Sequence, residues 1–119
     1  MNMVELEVIN VQKALELMGG YKVIYEKLVQ SFLENQVNLV GEVEEALKTD
    51  WSEARRLVHS CKGISQNLGA FSLYELAKDY ELAILNQEEE NHINDYHEQF
   101  KTLFNQVYQE LKNMDFTSI

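Results

Sequence analysis

Residues 50–70 read DWSEARRLVHSCKGISQNLGA, and this stretch decides the fold. Apolar or small side chains recur in it every three or four positions: Trp51, Ala54, Val58, Cys61, Ser65 and Leu68. Such spacing is typical of an amphipathic helix that buries one face. Asp50 and Glu53 match the capping-box pattern of a helix start, and Gly69 suits a helix end because glycine readily adopts the left-handed conformation found there. The stretch therefore predicts one helix with defined ends.

Stripes with the same spacing lie on both sides of this helix. One precedes it, at Tyr25, Leu28, Phe32, Leu39, Val43 and Ala46, and two follow it, at Leu73, Leu76, Ala77, Tyr80 and Ile84 and at Ile93, Tyr96, Phe100, Leu103, Val107, Leu111 and Met114. The first stripe has a polar interruption at Asn35 and Gln36, so it predicts either one long helix or two pieces with a bend. The chain has no proline to forbid long helices, and no useful strand pattern appears.

Turn and cap residues set the expected ends of the other helices. Gly19 and Gly20 end a short helix over about residues 10–18. Ser72 predicts a second capping box, and the acidic run at residues 88–90 suits the start of the last helix because acids stabilise the positive end of a helix dipole. We therefore expect an all-α fold, an antiparallel up-and-down four-helix bundle with a short extra N-terminal helix.

Composition limits the function classes. A length of 119 residues suits a single domain over residues 1–119. The net charge of −10 argues against nucleic-acid binding, which needs clustered positive charge. No apolar run is long enough to cross a membrane, and the N-terminus lacks the basic and apolar regions of a signal peptide. With one cysteine and hence no internal disulfide, we expect a cytoplasmic protein.

The helix predicted within residues 50–70 carries an unusual exposed face. His59 lies well away from its apolar stripe, and it shares a surface with Arg55, Arg56, Lys62, Gly63 and Gln66. An exposed histidine amid local positive charge has the chemistry of a phosphoryl acceptor, because a neutral imidazole nitrogen is a nucleophile near pH 7 and a lysine offsets phosphoryl charge. The alternative is an ordinary solvated helix face, in which Gly63 is a packing contact between helices.

The segment HSCKGISQNLGA, residues 59–70, resembles the signature of histidine phosphotransfer (HPt) domains. In that signature a lysine and a glycine follow the histidine, as Lys62 and Gly63 do, and Leu-Gly-Ala closes the helix. Weaker matches extend the resemblance over roughly residues 10–85, and the last helix matches by periodicity only. Cys61 and Tyr80 depart from the more usual aliphatic residues, but both fall on apolar stripes, so we expect core substitutions and a buried, inert thiol.

The resemblance implies a four-helix bundle that acts in phosphorelay. His59 would accept a phosphoryl group from the aspartyl phosphate of a response-regulator receiver domain and pass it to another regulator. Lys62 corresponds to the charge partner of the phosphohistidine, and Gln66 to a polar contact with the imidazole or phosphate. Glu81 corresponds to an acid on the following helix that orients the histidine in some members.

The remaining residues of the implied site concern docking and support. Gly63 matches the glycine that permits close approach of the partner, with Arg55 and Arg56 beside it on the docking surface. Gly69 closes the helix. The implied partners are receiver domains and a hybrid sensor histidine kinase. The chain itself needs no cofactor, Mg²⁺ is expected on the receiver, and we expect a monomer without ATP-dependent kinase activity because no Walker-type loop is present.

Two other functions remain open. One is a helical adaptor in which His59 is never phosphorylated. The other is the phosphoryl-accepting domain of a chemotaxis-type histidine kinase, although that group often has a second histidine where this chain has Lys78. The initial methionine and the lack of a linker favour a small stand-alone protein over an excised domain.

The histidines outside this motif carry weaker signals. His92 and His97 are five residues apart, which does not place them on one helical face, so with Asp95 they form a poor set of metal ligands. We expect both to be solvated. The aromatic residues of the last helix have core spacing, and we interpret them as packing residues: Tyr96, Phe100, Phe104 and Tyr108.

Overall fold

The computed structural model describes residues 8–119, which form six α-helices and a short 3-10 helix, with no strand among them. The helices are α1 (Val11–Leu17), α2 (Lys22–Asn35), α3 (Leu39–Thr49), α4 (Trp51–Leu68), α5 (Phe71–Leu85) and α6 (Glu90–Lys112), and the 3-10 helix is Phe116–Ser118. The prediction of an all-α fold is confirmed. The first seven residues of the domain predicted over 1–119, and most of the segment judged not to be a signal peptide, lie outside the described residues.

The helix that the motif predicts, α4, contacts four other helices. It packs along α5 and α3 and also touches α1 and α2, while α6 packs against α5 and touches α2 and α3. The predicted stripes supply the core between them, and Cys61 is fully buried, where desolvation raises the pKa of its thiol to about 12. Of the described helices, none has the length and apolar character that crossing a membrane requires.

The long first stripe forms two helices, the second of the two predicted alternatives. The N–H of Gln36 closes α2 on the carbonyl of Phe32, and the chain resumes in α3 after residues 36–38. The interruption coincides with the polar residues Asn35 and Gln36, which break the apolar stripe. The short α1 also has the predicted limits, with Asn10 as N-cap and Met18 as C-cap.

Both ends of α4 follow from local chemistry. The Asp50 carboxylate accepts hydrogen bonds from the N–H groups of Ser52 and Glu53 at 3.1 and 3.2 Å. Glu53 does not complete the capping box, because its carboxylate binds Arg56 instead at 2.7 Å. Gly69 ends the helix in the left-handed conformation, with φ of +84°.

The predicted cap at Ser72 is wrong. α5 begins at Phe71, two residues earlier than a cap at Ser72 predicts, and its N-cap is Ala70, which has no side chain that can cap. The left-handed turn at Gly69 reverses the direction of the chain. The Ala70 N–H binds the Ser65 carbonyl at 2.9 Å, and the Ala70 carbonyl accepts the Tyr74 N–H at 2.9 Å. Ala70 therefore occupies the N-cap position, and Ser72 lies within the first turn of α5. In α6, likewise, only Glu90 of the acidic run lies in the first turn.

The prediction that His97 is solvated is also wrong, whereas His92 is exposed as expected. His97 is only 4% exposed, because it lies one turn from Ile93 and from Phe100 on the buried face of α6. Its Nδ1 is 2.8 Å from the Tyr80 hydroxyl, and its Nε2 lies 3.4 Å from a carboxylate oxygen of Glu44.

Burial of His97 predicts a stability that falls in mild acid. Desolvation lowers the pKa of His97 below its usual 6.5, although Glu44 and Glu98 partly oppose this effect and Lys101 adds to it. The unfolded chain therefore binds a proton that the folded chain does not, so the free energy of unfolding decreases as pH falls below 6.5. His97→Gln, which keeps an acceptor for Tyr80 but does not titrate, is expected to lose less stability in urea denaturation as the pH falls below 6.5. An equally steep decline in the variant would contradict this assignment.

Candidate functional site

His59 lies in the middle of α4 with its side chain 61% exposed, on the side of the helix opposite the core stripe. Its Nδ1 is 2.9 and 3.1 Å from the two carboxylate oxygens of Glu81 on α5. The imidazole is therefore held at one nitrogen while much of the ring faces solvent. This is an exposed histidine with a fixed orientation.

Glu81 is the point where the cations of α4 converge. Its side chain is only 11% exposed. Lys62 Nζ lies 3.0 Å from Oε1, and Arg55 Nη1 lies 3.1 Å from Oε2. Arg55 lies one turn before His59 and Lys62 one turn after it. The long contact between α4 and α5 therefore brings Arg55, His59 and Lys62 against one carboxylate.

The charge on Glu81 sets the tautomer of His59. Burial raises the pKa of Glu81, but hydrogen bonds and charge from Lys62 and His59 lower it by more, and the pKa lies below its usual 4.5. An ionised carboxylate only accepts hydrogen bonds, so Nδ1 of His59 carries the proton and donates it. In the neutral ring Nε2 then holds the lone pair, and no hydrogen bond to Nε2 occurs within residues 8–119. The arrangement presents a free nucleophilic nitrogen at the surface.

A second histidine shows which part of this arrangement is distinctive. His92 is 62% exposed and its Nδ1 lies 2.7 Å from a carboxylate oxygen of Glu88. In the described part of the chain, however, no lysine or arginine pairs with Glu88. An exposed histidine paired with a carboxylate therefore occurs twice in the described part of the chain. What distinguishes His59 is the flanking positive charge of Arg55 and Lys62 at the same carboxylate.

The other predicted site residues lie around this cluster without joining it. A Cβ built on Gly63 meets no atom within 4 Å, so the alternative that Gly63 is a helix-packing contact is wrong and the space beside it is open. Gln66 is exposed and its side chain forms no hydrogen bond to the described residues, while Arg56 binds Glu53. Gly69 lies at the end of α4 and contacts the N-cap of α1, where the Asn10 N–H binds its carbonyl at 2.9 Å.

Sequence reasoning missed two features of this region. It assigned Arg55 to docking and overlooked its contact with Glu81, which no local pattern signals across 26 residues. It also overlooked two exposed leucines on α5, Leu82 and Leu85, which lie next to Glu81 and one turn beyond it. The sequence does indicate this exposure, because both leucines lie outside the apolar stripe of α5.

Comparison with known proteins identifies the family. A family model described as the Hpt domain matches residues 27–114, from within α2 to just beyond α6. Neither the curated proteins nor the solved structures yield a match to the chain. Since the matched region covers most of the chain and contains the whole His59–Glu81 cluster, the chain belongs to the Hpt domain family, whose members act in histidine phosphotransfer in two-component phosphorelays and interact with response-regulator receiver domains and kinases.

Proposed function

We propose that His59 accepts a phosphoryl group from the aspartyl phosphate of a receiver domain and passes it to another response regulator. The observation that carries this proposal is the hydrogen bond from His59 Nδ1 to Glu81, at 2.9 Å, which leaves Nε2 as the free nitrogen on an exposed ring. In-line displacement needs a nucleophile with a fixed direction, and the contact with Glu81 supplies it.

Phosphoryl transfer to His59 balances without moving a proton. The Nε2 lone pair forms the N–P bond while the P–O bond to the receiver aspartate breaks, and that bonding pair leaves with the aspartate as a carboxylate. Nδ1 keeps its proton, so the phosphorylated ring is cationic and Glu81, 2.9 Å away, stabilises it. In the onward step the ring departs as neutral imidazole. The same hydrogen bond therefore serves both directions of transfer.

The surface around His59 suits a protein partner. The open space at Gly63 lets another backbone approach Nε2 closely. Arg56, one turn before His59 on α4, is also exposed. We assign docking of the receiver to this surface, with Gln66 at its edge. The chain contributes the nucleophile and the positive charge, and the receiver contributes the aspartate and its Mg²⁺.

We also propose a bundle architecture for the domain. α2 and α3 together act as one broken element, and with α4, α5 and α6 they form the antiparallel four-helix bundle that α1 covers at one end. The short connections at Asp50, at residues 69–70 and at residues 86–89 support this topology, because neighbours joined by short loops run antiparallel. The domain is expected to act as a cytoplasmic monomer.

Incubation with a phosphorylated receiver domain tests the proposed function. The expected result is acid-labile, base-stable phosphate on this chain, released again on addition of a second receiver. The proposal would be contradicted if none of several phosphorylated receivers labelled the chain, although circular dichroism showed that the chain was folded. Labelling by a histidine kinase domain and ATP without any receiver would favour the chemotaxis-type alternative instead.

Glu81→Gln is expected to slow phosphoryl transfer by roughly 10- to 100-fold, as loss of an orienting partner does at other sites. The amide keeps the shape but not the charge, so the preference for the Nδ1–H tautomer weakens and the cationic ring loses its stabilising carboxylate. Rates from a phosphorylated receiver, together with side-chain ¹⁵N shifts of His59, measure both effects. A normal rate with an altered tautomer would show that Glu81 has no part in transfer.

A further inference from the structure

The sequence assigns Arg55 to the docking surface, but in the structure its side chain contacts Glu81. Its Nη1 lies 3.1 Å from Oε2 of Glu81, while Lys62 Nζ lies 3.0 Å from Oε1. Each carboxylate oxygen thus has its own cation, and His59 Nδ1 lies within 3.1 Å of both oxygens. Two cations share one carboxylate, although one would suffice to neutralise it.

The second cation matters once a phosphoryl group arrives. Lys62 is the side chain expected to offset the charge of the phosphoryl oxygens, yet in the unphosphorylated chain it is bound to Glu81. Until the N–P bond forms, the His59 ring is still neutral. If Lys62 were the only cation at Glu81, its movement toward the incoming phosphoryl group would leave a largely buried carboxylate without a cation at that stage, and such losses are costly. With Arg55 in place, Glu81 keeps a cation and its direction toward His59.

The direction of helical side chains decides which cation moves. In a helix a side chain leans toward the N-terminus and covers the preceding turn. Lys62 lies one turn after His59 and so leans back toward it, whereas Arg55 lies one turn before His59 and leans away. Lysine is also a mobile point charge on a flexible stem, while the planar guanidinium is better suited to a fixed contact with a carboxylate.

We propose that Arg55 is a positioning residue, which holds Glu81 against His59 and so frees Lys62 to pair with the phosphoryl group. This inference rests on the proposed phosphotransfer function and adds a division of labour between the two cations of the site. Arg55 does not touch the phosphoryl group and acts only through Glu81 and Lys62.

A double-mutant cycle on labelling by phosphoramidate tests this coupling, since this small phosphoryl donor reports on the site without any docking. Arg55→Gln is expected to slow labelling of His59 by about fivefold, and in a Lys62→Gln background to add less than about twofold, because Lys62 is then no longer there to be freed. Lys101→Gln is the matched control: it removes a lysine on α6 of similar exposure, 43% against 41% for Arg55, and should leave the rate unchanged. Strictly additive effects, or no effect of Arg55→Gln, would overturn the proposal.

A second measurement with a phosphorylated receiver separates positioning from docking. Loss of a positioning residue lowers the saturating rate, whereas loss of a docking contact raises the receiver concentration at half saturation. We expect Arg55→Gln to lower the rate and Arg55→Lys, which keeps the charge but not the planar guanidinium, to restore it only in part. A change in half saturation alone would return Arg55 to the docking surface and overturn the proposal. Coupling with phosphoramidate but no transfer from any receiver would refute the phosphorelay while leaving the role of Arg55 supported.

Discussion

Replacing His59 with glutamine is expected to reduce phosphoryl transfer to the background of the assay. Glutamine offers an amide of similar polarity, but its nitrogen has no lone pair available for attack, so no N–P bond forms. The fold should remain intact, because the side chain is 61% exposed and contributes one hydrogen-bonded contact, with Glu81. This substitution therefore removes the chemistry without removing the domain.

The chain offers a matched control for this experiment. His92 has nearly the same exposure and also pairs through Nδ1 with a carboxylate, that of Glu88. His92→Gln should leave labelling by a phosphorylated receiver unchanged, and both variants should melt close to the parent protein in circular dichroism. Acid-labile phosphate on the His59→Gln protein would place the phosphoacceptor elsewhere and disprove the assignment.

Gly69→Ala is expected to destabilise the protein by about 3 kcal/mol, through strain at positive φ and overpacking against backbone. The residue has φ of +84°, and an added Cβ would lie 2.5 Å from the Asn10 carbonyl oxygen and 3.0 Å from the Ala14 Cβ. Since backbone on α1 blocks the space, α1 would have to move away. That movement would also break the hydrogen bond from the Asn10 N–H to the Gly69 carbonyl.

Thermal and urea denaturation measure this loss, which corresponds to a fall in Tm of about 10 °C for a domain of this size. Gly41→Ala is the control, because Gly41 lies within α3 and a Cβ there meets no atom within 4 Å. Alanine in a helix should stabilise by up to about 1 kcal/mol relative to glycine. If Gly69→Ala were as harmless as Gly41→Ala, the close packing of α1 on the end of α4 would be disproved.

The accuracy of the sequence predictions depended on how local the controlling interaction was. The ends of α4 were predicted because Asp50 caps N–H groups two and three residues away and Gly69 acts through its own backbone. The cap at Ser72 was predicted wrongly because the return of the chain depends on a bond from Ala70 to Ser65. Capping propensity alone does not show at which residue the next helix begins.

The burial of His97 was predictable from the sequence, but the spacing of His97 was compared with the wrong residue. Its spacing from His92 was tested for metal binding, whereas its spacing from Ile93 and Phe100 places it on the buried stripe of α6. The periodicity predicts burial, but neither the hydrogen bond with Tyr80 on α5 nor the nearby carboxylate of Glu44 on α3. The buried face of a helix follows from the spacing of apolar residues within that helix, whereas hydrogen bonds between helices depend on how the helices pack.

By itself, the sequence determined that this chain is all-α, that α4 starts at Trp51 and ends before Gly69, and that His59 faces solvent beside Lys62 and Gly63. These properties depend on side chains within one or two turns of each other. Only the tertiary structure decided that Glu81 meets His59, Lys62 and Arg55, because that meeting depends on how α4 and α5 align along their contact. Residues 22 and 26 positions apart come within hydrogen-bonding distance only through that packing, so the cluster belongs to the fold and not to the motif.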